Sequence, residues 1–171
     1  MAHILDTSIE LQQHITRAPQ PIFNEESITR IELKRPDGTL LDIELYRLQY
    51  HKEWDDIVNL AKNEASKIRE VTLASKYNIN AFLLRSGAVF PGKEIALMIP
   101  IGEINIDNAP RVAFHRENER ARLQKWERKL YILEPGVCVR IARGNISFLW
   151  VSFQETESTG EISLTSSLSA S

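Results

Sequence analysis

The chain has 171 residues, a formal net charge of −2, and 43% apolar and 26% charged residues, a balance that suits one globular domain with a real core. Its single cysteine, Cys138, excludes an internal disulfide and a zinc site made of several thiolates. No basic-then-apolar leader opens the chain, and nothing approaches the roughly 18 apolar residues that span a bilayer, so a soluble cytoplasmic protein without a membrane partner is expected.

Residues 1–26 hold a short apolar pattern, Ile4, Leu5, Ile9, Leu11 and Ile15, and then Pro19 and Pro21, which force extended backbone. They are expected as an N-terminal arm that orders against a partner. Residues 27–153 form the expected domain. Residues 154–171, half Ser and Thr with no aromatic, are expected as a flexible tail that cannot offset its own ordering entropy.

Two alternating stretches, SITRIELKR and LLDIELYRL, read as strands of a hairpin. A loop of Pro36, Asp37 and Gly38 pairs Leu33 with Leu41, Ile31 with Ile43 and Thr29 with Leu45, which keeps apolar residues on one face. Pro36 suits the fixed φ of a type I turn and Gly38 the left-handed position after it. The opposite face then collects Glu32, Asp42 and Glu44, a cation site only if a third ligand such as His51 or a helix carboxylate joins them.

Trp54, Ile57, Val58, Ala61, Ala65, Ile68 and Val71 form one stripe of a 3.6-residue period, which predicts a long helix from about Lys52 into the seventies. NAFLLR and IALMIPIGEI, apolar on both faces, read as interior strands, with SGAVFPGK a loop and Pro100 a bulge or edge. Strong helix formers after Pro110 predict a second, shorter helix over residues 114–129. LYILE, VCVRIAR and ISFLWVSF close the chain as three strands of a meander joined at Pro135-Gly136 and Gly144-Asn145. The expected fold is therefore α+β: a mainly antiparallel sheet with one long and one shorter helix.

Chemical signatures are sparse. On the expected second helix His115 and Glu117 point apart, and His115 with Glu119 makes only a surface pair. Cys138, mid-strand between Val137 and Val139, reads as a small buried hydrophobe. Gly87, Gly92 and Gly102 lack the spacing of a nucleotide loop, so no cofactor is expected. What stands out is charge: from residue 111 to 143 there are nine Lys or Arg against four Asp or Glu.

Exclusion leads to a non-catalytic assembly or adaptor protein, a structural role in which the arm and the basic helix mediate protein–protein interaction with a larger complex. A homo-oligomer is left open. The alternatives are a nucleic-acid-binding protein using Arg116, Arg120, Arg122, Lys125, Arg128 and Lys129, and a metal-dependent enzyme using Glu32, Asp42 and Glu44.

Overall fold

The computed structural model describes residues 2–68, 71–89, 92–116 and 118–154. The fold is α+β, with two helices and two antiparallel sheets. In chain order the elements are β1 (Ala2–Asp6), α1 (Ile9–Arg17), β2 (Ile28–Ile31), β3 (Glu44–Leu48), α2 (Trp54–Ser66), β4 (Lys76–Ser86), β5 (Ala88–Val89), β6 (Ala96–Pro100), β7 (Arg111–His115), β8 (Arg122–Lys125), β9 (Lys129–Leu133), β10 (Cys138–Arg143) and β11 (Ile146–Gln154). A 3-10 turn, Ile106–Asn108, precedes β7.

Strand pairing defines the architecture. The larger sheet runs β1-β9-β6-β11-β4-β3-β2 and the smaller β5-β10-β7-β8. From β4 onward the pairs are nested: β4 with β11, β5 with β10, β6 with β9 and β7 with β8. This is the double-sheet jelly-roll connectivity, in which successive strands cross between two facing sheets. β1, β2 and β3 extend the larger sheet at its two edges.

Alternation along each strand builds two cores. Phe82, Met98, Tyr131, Phe148 and Trp150 of the larger sheet meet Val112, Phe114 and Val139 of the smaller, with Trp126 stacked on Tyr131 at 4.8 Å. The other face of the larger sheet, including Leu97, Ile99, Leu130, Ile132, Leu149 and Val151, is covered by α1 and α2. The predicted stripe of α2 is buried through Ala65, but the helix ends at Ser66 rather than in the seventies.

Several expectations change. The stretch expected as an arm carries β1, paired with β9, and α1, capped by Ser8 and buried at Leu11 and Ile15. Among the described residues no helix forms over 114–129, where β7 ends and β8 follows. Val112 and Phe114 alternate into the core, Trp126 follows them there, and the burial available to two strands overrides local helix propensity. The three closing strands exist but form no meander, because each pairs with distant partners rather than with its sequence neighbours. The Pro-Asp-Gly turn forms as expected: the Gly38 amide donates to the Arg35 carbonyl, and Asp37 accepts from the Thr39 amide and hydroxyl, which lowers its pKa. Leu41 meets Leu33 as expected, but the ladder then slips, so that Ile31 faces Leu45 rather than Ile43. The slip occurs at Asp42, where the Ile43 amide donates back to the Leu41 carbonyl. The expected tail, apart from Gln154 in β11, lies outside the described residues.

Candidate active site

The hairpin acids do not make a metal centre. Glu32 and Asp42 are exposed and Glu44 half-buried, and among the described residues no group of three or more His, Cys, Asp or Glu could hold a metal ion. The six predicted cations are dispersed rather than aligned on a helix. Arg116 pairs with Glu134 at 2.9 Å, Arg128 donates to Thr16 Oγ1 and to the Gly102 carbonyl, and Lys129 lies beside Glu127 and Asp6. Arg120, Arg122 and Lys125 are exposed, the last two on β8.

Among the described residues the only wholly buried residues of polar type are Ser152 and Gln154, and Trp150 Nε1, in the core between the sheets, has no hydrogen-bond partner. Tyr131 donates its hydroxyl to the Glu127 carbonyl and accepts from the Glu127 amide, and burial pushes its pKa up to about 12.

Reactive groups do converge on the outer face of the smaller sheet. Val139 and Phe114 point inward, so the neighbouring Cys138 and His115 point outward, and the antiparallel register sets them directly opposite each other. Cys138 Sγ lies 2.9 Å from His115 Nε2. The other ring nitrogen, Nδ1, lies 3.3 Å from the Arg116 carbonyl. A carbonyl only accepts, so this contact places the imidazole proton on Nδ1 and leaves the Nε2 lone pair facing the thiol. Burial raises the Cys138 pKa to about 11, opposed by the positive charge of Arg140 two residues along the same strand face. The sulfur therefore rests as a thiol, hydrogen-bonded to the imidazole.

A second polar cluster adjoins the end of β7. Glu134 accepts from Arg116 and meets His3 Nε2, each at 2.9 Å. Hydrogen bonds to its carboxylate, that of His3 among them, pull the pKa of Glu134 down to about 2.

In the sequence Cys138 reads as a small buried hydrophobe and His115 as one member of a surface pair, with nothing to join them. The cue lay in the alternation of Val112 and Phe114, which marks residues 111–115 as a strand and puts His115 on its opposite face. The pairing with β10, 23 residues away, has no local sign.

No protein-family model matches the chain, and no curated protein matches it by sequence. Solved structures similar to it include an oxidoreductase of the 2OG-Fe(II) oxygenase family from Burkholderia pseudomallei, with 10% identity over 93% of this chain and 87% of that one and a TM-score of 0.49. RmlC from Streptococcus suis in complex with dTDP-D-xylose has 11% identity over 91% and 72%, with a TM-score of 0.34. Oxalate decarboxylase OxdC from Bacillus subtilis has 12% identity over 90% and 37%, also with a TM-score of 0.34. The expected non-catalytic adaptor is withdrawn on the chain's own geometry, because the arm and the basic helix it required are strands and a helix built into the fold.

Proposed function

We propose that the protein is a cytoplasmic enzyme working by nucleophilic thiol chemistry, with Cys138 as nucleophile and His115 as general base. The observation that supports this reading is the 2.9 Å approach of Sγ to Nε2, with the imidazole oriented through its other nitrogen. Nucleophile, base and orienting group in that order are what such chemistry requires. No helix among the described residues is long and apolar enough to cross a membrane, and a reducing cytoplasm would keep the lone thiol free.

With a thiol pKa near 11 no thiolate is held in advance, so proton transfer accompanies attack. In an acyl transfer Sγ would add to the carbonyl carbon while the carbonyl π pair moves to oxygen and the thiol proton passes to His115 Nε2. Arg140 supplies positive potential on the same sheet face. Collapse of the adduct breaks the bond to the leaving group, which takes the proton back from His115, and water cleaves the thioester by the same steps reversed.

The test exploits the fact that Cys138 is the sole cysteine. Labelling by iodoacetamide at pH 7.5, followed by intact mass, reports on this sulfur alone. If His115 acts as base, His115→Ala slows labelling by about 100-fold or more. If the imidazole merely covers the sulfur, its removal exposes Cys138 and labelling accelerates, which overturns the proposal.

A further inference from the structure

The face that carries Cys138 and His115 is also a concentrated field of positive charge. Because Val112, Val139 and Trp126 point into the core, Arg111, Arg140 and Lys125 point outward. The register sets Arg143 opposite Arg111, and Arg111 opposite Lys125, so three cations form one row across three strands. Strand spacing makes that row about 10 Å long, and Arg140 lies about 7 Å from it along the strand, toward Cys138. Like charges set directly opposite each other are unfavourable in an antiparallel sheet. Among the described residues none of these four cations has an ion-pair partner, and Arg143 makes one contact, to the Ala109 carbonyl at 3.5 Å.

We infer that this row is an anion site for a compact polyphosphate group carried by a small molecule. Arginine forks bind phosphate oxygens in pairs, and three of the four cations are arginines. Extended single-stranded nucleic acid fits less well. It draws much of its affinity from bases stacked on aromatic side chains, and among the described residues no Phe, Tyr or Trp projects from this face. The overall net charge of −2 also works against a long polyanion. Resting on the thiol chemistry proposed above, the substrate would carry its phosphates at one end and an electrophilic carbon about 7–14 Å away, over Cys138. The anion site itself does not depend on that reading.

Calorimetric titration of the full chain with inorganic tripolyphosphate tests it. Saturable binding that weakens as salt rises is expected, with Arg111→Gln and Arg143→Gln each weakening it by about tenfold or more. Without ligand, the same variants should melt at the same temperature as the parent or higher, since each removes a like-charge opposition. Cys138→Ser should bind tripolyphosphate unchanged, so a failure of the anion site and a failure of the thiol mechanism are read separately. Absence of saturable binding, or variants that bind like the parent, overturns the inference. An oligonucleotide that binds more tightly than tripolyphosphate and is lost in the same variants also overturns it, in favour of a nucleic-acid surface.

Discussion

Gly87 sits where the chain leaves the larger sheet at the end of β4 and enters the smaller one at β5, and substituting it tests that crossing directly. Its φ is +89°, and a Cβ there would lie 2.7 Å from Ile43 Cγ1 and 3.1 Å from Ile43 Cα. The backbone has little freedom to give way, because the Gly87 carbonyl accepts the Ile141 amide at 2.9 Å, a bond that ties β5 to β10. Left-handed backbone costs a non-glycine residue about 1–2 kcal/mol. Forcing a methyl group against packed atoms costs about 1–3 kcal/mol more, and the lower entropy of the unfolded alanine chain returns about 0.4–1 kcal/mol. Gly87→Ala should therefore destabilise by about 2–4 kcal/mol, lowering the melting temperature by roughly 5–15 °C for a chain of this size. Gly38→Ala is the control. It has the same φ of +89° with nothing within 4 Å of the added carbon, so strain acts alone and the net cost should stay near 1 kcal/mol or below. Urea unfolding followed by tryptophan fluorescence measures both. Equal midpoint shifts would mean that Ile43 does not pack against Gly87 at the crossing from β4 to β5.

Other consequences follow from the same geometry. Trp126→Ala removes a ring that is 1% exposed, lies 7° from parallel to Tyr131 and meets Phe148 edge-on; it should cost about 3–5 kcal/mol by denaturant unfolding, and a loss below 1 kcal/mol would refute the inter-sheet core. Glu134 titrates near 2 in the folded protein against an ordinary 4.5, so its stabilising contribution is complete above pH 4.5 and is lost as pH falls toward 2. The melting-temperature advantage of the parent over Glu134→Gln should shrink through that window, by an amount worth under about 1 kcal/mol given the solvent around the pair. Cys138 has its pKa raised from 9.0 to about 11, so folding is favoured below pH 9 and loses that advantage as pH rises toward 11. Cys138→Ala should remove this alkaline decline, and an unchanged decline would show that the thiol does not titrate within the fold.

Local patterns carried much of the fold. The period of α2, the alternation of the hairpin and the long apolar runs of β4, β6 and β11 each report a buried face, although α2 stops at Ser66 and the hairpin register slips at Asp42. What failed is what depends on distant partners. Residues 122–129 are rich in Arg, Lys, Glu and Gln, which favour a helix in isolation, yet Trp126 is 1% exposed because β7 and the larger sheet supply a cavity that a surface helix would leave empty. Turns such as Pro135-Gly136 usually join paired strands, which is why the closing strands read as a meander. Here those turns carry the chain from one sheet to the other, and Gly136, at φ +84°, donates its amide to the Gly92 carbonyl instead of closing a hairpin.

Nested pairing also explains why the reactive pair was invisible while its members were not. In a hairpin, opposed residues are separated by little more than the loop, so candidate pairs can be enumerated from sequence. In the jelly roll, β7 and β10 are joined through β8 and β9, with β9 in the other sheet, so the offset between opposed residues depends on two loops and a sheet crossing. A single residue added between His115 and Cys138 would change which side chains face each other, turning the thiol toward the core or the imidazole away from it. The same register places Arg143 and Arg111 opposite one another, through the irregularity between Ile141 and Arg143. Both the 2.9 Å thiol–imidazole contact and the Arg143–Arg111 opposition beside it are therefore products of one alignment of β10 on β7, and a shift of that alignment would abolish both together while leaving Arg111 opposite Lys125.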